Sequence, residues 1–167
     1  MSELPEYVLD RVFAAPLEQV WKAWTDPEIL YQWYGPNVET TIHAFDLSPG
    51  GAWLNEMKWG DNSNYSKMIF QEIDAPVRMV WLHHSCTDAD WNDSQNPMMP
   101  NWPRVLLTTV TFEAVGDQTK VRLSQVPKDA TDEEIACFVE TMAGMDKGWG
   151  SGYEILDRIL AEGTGTG

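Results

Sequence analysis

The chain has 167 residues, of which 26 are acidic and 11 basic, so its formal charge at pH 7 is −15. Hydrophobic residues make up 43% and charged residues 22%, which is typical of a globular protein and unlike disordered or fibrous chains. Proteins bind phosphate backbones mainly through Lys and Arg. The charge balance therefore argues against nucleic acid and anionic membrane surfaces as partners.

The first residues, MSELPE, lack the basic start and apolar core of a signal peptide, and no apolar run approaches the ~20 residues that span a bilayer. We therefore expect a cytoplasmic protein that does not insert into membranes. The length predicts one domain over residues 1–162, followed by a short flexible tail over 163–167. Cys86 and Cys137 are too few for a disulfide scaffold and are interpreted as free thiols.

Hydrophobic periodicity predicts a strand followed by two short helices at the start of the chain. Residues 6–13 alternate as a strand does. Pro16 can occupy the first turn of a helix whose apolar residues lie on one face through Trp24. Asp26 is a suitable cap for a second helix, which begins with a proline and ends at Trp33.

The middle of the chain is punctuated by turn sequences, and the segments between them predict six more strands. These cover residues 40–47, 52–59, 65–73, 77–83, 104–114 and 120–126. Strands joined by short turns pair antiparallel. The long segment 84–103 is interpreted as a lid candidate, because loops of this length in compact domains are usually functional or mobile.

A long amphipathic helix is predicted at the end of the chain. Thr131 and Glu134 have the spacing of a capping box, and apolar residues then recur every three or four positions over 131–161. Glycines also recur at four-residue spacing, at positions 144, 148 and 152. They permit two interpretations: close packing of the helix on the sheet, or space left for a ligand.

Five separated motifs resemble homologues of the activator of heat-shock-protein-90 ATPase, which belong to the START-like (SRPBCC) superfamily. They are WKAWTDPEILYQWYGP at residues 21–36, DLSPGGAW at 46–53, WP at 102–103 before TTVTFE at 108–113, ATDEE at 130–134 and MDKGWG at 145–150. The resemblance extends over residues 6–161.

This resemblance implies an α+β helix-grip fold. In that fold a curved seven-stranded antiparallel sheet wraps around the long C-terminal helix, two short helices follow the first strand, and a deep apolar cavity lies between sheet and helix. Members bind hydrophobic molecules, and a minority act on them as cyclases or hydrolases. The eukaryotic activator uses a second, N-terminal domain to bind the chaperone, and nothing in this sequence corresponds to it. A chaperone partner is therefore not expected.

The resemblance also implies which strand faces line the cavity. The strand face that carries Trp53 and the face that carries Trp81 are expected to point toward the helix. Alternation along the strands and the apolar face of the C-terminal helix then give eight candidate ligand-binding residues: Trp53, Asn55, Met57, Met79, Trp81, His83, Met145 and Trp149. Asn55 and His83 either form hydrogen bonds within the core or orient a bound ligand.

Binding of a small hydrophobic or aromatic molecule, without a cofactor, is the leading functional hypothesis. An enzyme that acts on a bound apolar substrate is the first alternative, with His83 as general base, assisted by His43 or Glu56. Activation of a chaperone ATPase is the second. No metal site is expected, because His83 and His84 point to opposite faces of a strand. No nucleotide-binding or serine-hydrolase motif occurs, no catalytic set is assigned, and a homodimer is left open.

Overall fold

Seven antiparallel strands form one sheet in the computed structural model of the chain, which describes residues 5–34, 39–94 and 100–163. The strands are β1 (Tyr7–Phe13), β2 (Glu39–Phe45), β3 (Ala52–Trp59), β4 (Asn62–Asp74), β5 (Arg78–Thr87), β6 (Val105–Val115) and β7 (Gln118–Lys128). Their order in the sheet is β1-β7-β6-β5-β4-β3-β2. Strands β2 to β7 are therefore neighbours in chain order, and β1 completes the sheet by pairing with β7.

In the described part of the chain, three helices accompany the sheet: α1 (Leu17–Thr25), α2 (Pro27–Trp33) and α3 (Asp132–Gly163). The Asp26 side chain caps α2 by accepting a hydrogen bond from the backbone N–H of Glu28 at 3.0 Å. Pro16, a residue that can occupy the first turn of a helix, takes the cap position just before α1, with an extended backbone. Proline fits there because its φ is fixed and its missing N–H is not needed.

The capping box at the start of α3 forms as predicted. The backbone N–H of Glu134 donates to Thr131 Oγ1 at 3.1 Å, and the backbone N–H of Thr131 donates to Glu134 Oε1 at 2.9 Å. The helix that follows is a single element, so the predicted helix over 131–161 is confirmed with small shifts at its ends. Residue 163, assigned to the tail, ends the helix, and residues 164–167 lie outside the described residues.

The helix-grip architecture is confirmed, and the largest differences concern strands β4 and β5. Strand β4 begins at Asn62, and β5 continues to Thr87 through pairing with β4. The connection to β6 is consequently shorter than the predicted segment 84–103. Residues 95–99 of that segment lie outside the described residues, so its interpretation as a lid stays a prediction.

Helix α3 is held to the rest of the protein by apolar packing and by polar contacts with β1. Tyr153 is fully buried, with its ring centroid 5.1 Å from that of Phe13. The Tyr7 hydroxyl donates to Asp146 at 2.7 Å, and Arg11 forms an ion pair with Asp157. These contacts fix the rotation of α3, and with it the residues that face the sheet.

Within the described ranges, no helix has both the length and the apolar character needed to cross a membrane.

Candidate functional site

A cavity of about 340 Å³ lies between the sheet and helix α3. Its wall draws on the end of α2, on strands β3, β5, β6 and β7, on α3 and on the segment before β6. The lining residues are Trp33, Tyr34, Met57, His83, Trp102, Leu106, Gln125, Met145, Trp149 and Gly152. None of these ten is Asp, Glu, Lys or Arg. A mostly apolar cavity with a few uncharged polar groups is the usual form of a small-molecule site.

Trp33 and Tyr34 form one aromatic end of the cavity, and both are held in place. The Trp33 indole N–H donates to the carbonyl oxygen of Ala23 at 3.0 Å, while the Thr40 hydroxyl donates to the Tyr34 carbonyl oxygen at 2.8 Å. The Tyr34 ring centroid lies 5.7 Å from that of Trp149 on α3. Burial raises the pKa of the Tyr34 phenol, so this end of the wall is uncharged at neutral pH.

Helix α3 contributes Met145, Trp149 and Gly152, which lie on one helix face because they are four and then three residues apart. The Trp149 ring stacks on Trp24 at 6.2 Å, with 19° between the planes. Gly152 is buried and its backbone forms part of the wall, whereas Gly144 is exposed and has open space around it. Of these two glycines, only Gly152 therefore leaves room inside the cavity.

Two strand residues bring polar groups to the wall. The Gln125 amide donates through Nε2 to the Thr108 hydroxyl at 3.2 Å. His83 accepts a hydrogen bond at Nδ1 from the Trp81 indole N–H at 3.3 Å. Burial, and to a lesser extent the nearby His84, lower the pKa of His83 to about 4. The imidazole is therefore neutral at pH 7, and because Nδ1 is the acceptor, its single proton is on Nε2.

Four of the eight candidate residues from the sequence line this cavity: Met57, His83, Met145 and Trp149. The other four do not line it and are buried behind it, each with an exposed fraction of 2% or less: Trp53, Asn55, Met79 and Trp81. They shape the wall indirectly. The Trp53 ring packs against Tyr34 with centroids 4.8 Å apart, and Trp81 orients His83.

Sequence reasoning did not select the other six lining residues: Trp33, Tyr34, Trp102, Leu106, Gln125 and Gly152. The four-residue spacing of the glycines pointed to Gly152, since one interpretation of that spacing was space for a ligand. Leu106 could have been found from the strand register, because it is the register partner of His83 and directly paired residues share a face. Trp102 comes from the lid candidate, and its ring packs against Phe138 with centroids 5.6 Å apart.

His43 and Glu56 do not assist His83, and that part of the enzyme alternative is wrong. Glu56 lies between Asn55 and Met57 on β3 and points to the opposite face of the sheet. It interacts with His43 Nε2 at 2.9 Å and accepts from the Ser63 hydroxyl at 2.8 Å, and these hydrogen bonds lower the pKa of Glu56. The group is a separate polar cluster outside the cavity.

His84 also lies away from the cavity. Its Nδ1 is 2.9 Å from an Asp93 carboxylate oxygen, so its partner is on the β5–β6 connection. Among the residues that the structure describes, no three His, Cys, Asp or Glu side chains are arranged to hold a metal ion. Cys137 is a half-buried free thiol, and the side chain of Cys86 lies outside the described part.

Comparison with known proteins gives a family and a set of similar structures. The family described as activator of Hsp90 ATPase homolog 1-like protein matches residues 14–161. No curated protein matches the chain. Among solved structures, protein Ms6760 from Mycobacterium smegmatis is 22% identical, with a TM-score of 0.77 over 95% of this chain and 96% of that one.

Two further solved structures have the same fold. A protein from Arthrobacter aurescens is 22% identical, with a TM-score of 0.78 over 94% of this chain and 86% of that one. Protein NE0264 from Nitrosomonas europaea is 20% identical, with a TM-score of 0.72 over 96% of each chain. At these identities the likeness concerns the fold alone.

Proposed function

The chain belongs to the activator of Hsp90 ATPase homolog 1-like protein family, and we propose that it binds a small hydrophobic or aromatic molecule in the cavity between the sheet and helix α3. One observation carries the proposal: the described residues that line the cavity of about 340 Å³ are mostly aromatic and Met side chains, and none of them is acidic or basic. Binding requires neither a metal nor a cofactor.

The wall chemistry selects against charged ligands. A carboxylate or ammonium group would leave water without gaining a counterion from the ten lining residues, which is strongly unfavourable. Flat rings such as Trp33 and Trp149 offer large contact areas to an apolar guest. The flexible side chains of Met57 and Met145 can adjust to its shape.

Binding rather than catalysis is the activity that His83 supports. A general base needs a free lone pair within reach of the proton that it removes. The lone pair of Nδ1 is engaged by Trp81, and Nε2 carries the proton. A pKa of about 4 also makes His83 a weak base at neutral pH. The proposal therefore does not extend to a reaction on the bound molecule.

The remaining parts of the functional hypothesis are predictions from the sequence. They are a cytoplasmic location, a single domain, and the absence of nucleic-acid and chaperone partners. The family description refers to a chaperone ATPase, so chaperone activation is tested separately below.

The proposal is tested with N-phenyl-1-naphthylamine, an uncharged aromatic probe whose emission rises in apolar surroundings. The wild-type protein should enhance the emission of the probe, and a saturating concentration should raise the melting temperature. At one hundred times its dissociation constant a ligand stabilises by about 2.7 kcal/mol. Gly152→Leu fills the cavity and should abolish both effects.

Gly144→Leu is the matched control, since the same substitution in the same helix lies at an exposed position. It should bind the probe as the wild type does. Should Gly152→Leu fail to fold, Met145→Trp fills the cavity from another point of its wall. Absence of binding to the wild type would refute the proposal, and equal binding to both cavity-filling variants would place the site elsewhere.

A further inference from the structure

The same arrangement of a tryptophan and a polar residue occurs on two strands of the sheet. On β3, the Trp53 indole N–H donates to Asn55 Oδ1 at 3.4 Å, and on β5, the Trp81 indole N–H donates to His83 Nδ1 at 3.3 Å. Each pair is two residues apart and therefore shares one strand face. An indole N–H can only donate. Each indole N–H is thus bonded to an acceptor atom of its polar partner, Asn55 or His83.

The atoms that remain are donors. In His83 the remaining ring nitrogen is Nε2, which carries the proton of the neutral imidazole. In Asn55 the remaining group is the Nδ2 amide, which is buried and has no hydrogen-bond partner among the described residues. Asn55 does not line the cavity, whereas His83 does. The His83 Nε2–H is therefore the donor that this arrangement makes available to a bound molecule.

The other strand residue that brings a polar group to the wall lies two strands away from His83. Gln125 is on β7, and β6 separates that strand from β5. One of the two hydrogens on its Nε2 is donated to Thr108. Leu106, the register partner of His83 on β6, pairs on its other side with Pro127 of β7. The surroundings of His83 on this side are consequently apolar.

We infer that the ligand carries an uncharged hydrogen-bond acceptor, such as a carbonyl oxygen, which accepts from His83 Nε2–H while its apolar body fills the rest of the cavity. This rests on the proposed function and specifies its ligand as a neutral apolar or aromatic carbonyl compound. Trp81 is a positioning residue, because it fixes the tautomer of His83 and does not itself line the cavity. A carboxylate is also an acceptor, but no lining residue balances its charge.

Three naphthalene probes of similar size test the inference by equilibrium dialysis. They are 2-acetylnaphthalene, 2-ethylnaphthalene and 2-naphthoate, which carry a carbonyl, no polar group and a negative charge respectively. The hydrocarbon is the most hydrophobic, so a purely apolar cavity would favour it. We expect the ketone to bind about fivefold more tightly than the hydrocarbon, the factor that one neutral hydrogen bond supplies, and the naphthoate to bind least.

Variants at position 83 test whether the preference for the ketone over the hydrocarbon comes from the His83 N–H donor. His83→Phe should lose the ketone preference, measured as the ratio of ketone to hydrocarbon affinity within the same variant. His83→Gln, which keeps an N–H donor and an acceptor for Trp81, should restore part of it. A second measurement needs no variant: the ¹⁵N chemical shifts of His83 in the wild-type protein distinguish the two tautomers, and the Nε2 resonance should move when the ketone binds.

The outcomes separate the two proposals. The wild type could bind the hydrocarbon as tightly as the ketone or more tightly, with the same ratio of affinities in His83→Phe. That result would overturn this inference and leave the proposed function intact. ¹⁵N shifts that place the proton on Nδ1 would overturn it regardless of the probes. No binding of the ketone or the hydrocarbon would overturn the proposed function, and this inference with it.

Discussion

His83 makes the stability of the fold depend on pH in a direction that can be worked out from the structure. Its pKa is 6.5 when unperturbed and about 4 in the folded protein. Between these two pH values the unfolded chain binds a proton that the folded protein does not bind. The free energy of unfolding should therefore fall as the pH falls from 6.5 to 4, and the contribution of His83 is fully present only above pH 6.5.

The magnitude follows from the size of the pKa difference. Each pKa unit corresponds to about 1.36 kcal/mol, so the full difference would amount to roughly 3 kcal/mol. His83 lines the cavity and is half-buried, so an imidazolium there would keep part of its hydration. We therefore expect a loss of about 1–3 kcal/mol from this residue.

Urea unfolding, followed by tryptophan fluorescence, measures this loss in wild type and His83→Gln at a series of pH values between about 7.5 and 4. The glutamine carbonyl can still accept from Trp81, so the variant removes the titrating group and keeps the hydrogen bond. Glu56 and Asp10, whose pKa values are lowered by hydrogen bonds, titrate in both proteins and cancel in the difference. Parallel stability curves for the two proteins would refute the assignment of a buried neutral imidazole.

Three further predictions concern other contacts. Thr131→Ala removes the cap of α3 and should lower the free energy of unfolding by about 1 kcal/mol in urea; an unchanged value would mean that the cap contributes nothing. Tyr7→Phe removes the hydroxyl that donates to Asp146 and should cost about 0.5–1.5 kcal/mol, whereas Asp146→Asn keeps an acceptor and should cost less. Finally, adding the protein to the purified ninety-kilodalton heat-shock chaperone should leave its rate of ATP turnover unchanged, and a several-fold increase would instead establish chaperone activation.

The order of helices and strands could be predicted because the local signals agreed with the global fold. Alternation identified β1, turn sequences separated the strands, and the caps at Asp26 and Thr131 marked two helix starts. The end of β5 was missed because His84 to Thr87 have little strand character of their own. Their strand conformation comes from pairing with β4, where Lys67 lies opposite His84 and Tyr65 opposite Thr87. Such pairing depends on residues distant in sequence.

The cavity was less predictable than the sheet, because its wall is a property of the packed structure. The family resemblance indicated which face of β3 and β5 points toward α3, and alternation gave the residues on that face. Neither could distinguish residues in the wall, such as Met57, from residues just behind it, such as Trp53. That difference depends on how far the sheet and α3 are separated at each point. Trp33 and Tyr34 reach the wall only because the short α2 ends beside it.

The stacking of Trp149 on Trp24 gives the protein a built-in optical reporter. Trp149 lines the cavity and Trp24, a residue of α1, lies in the core, with their planes 19° apart and their centroids 6.2 Å apart. Two indoles this close couple their electronic transitions, so together they should contribute an exciton signal to the circular dichroism spectrum that neither ring gives alone. A guest that tilts Trp149 would change this signal without any chemical label, even if the secondary structure stayed the same.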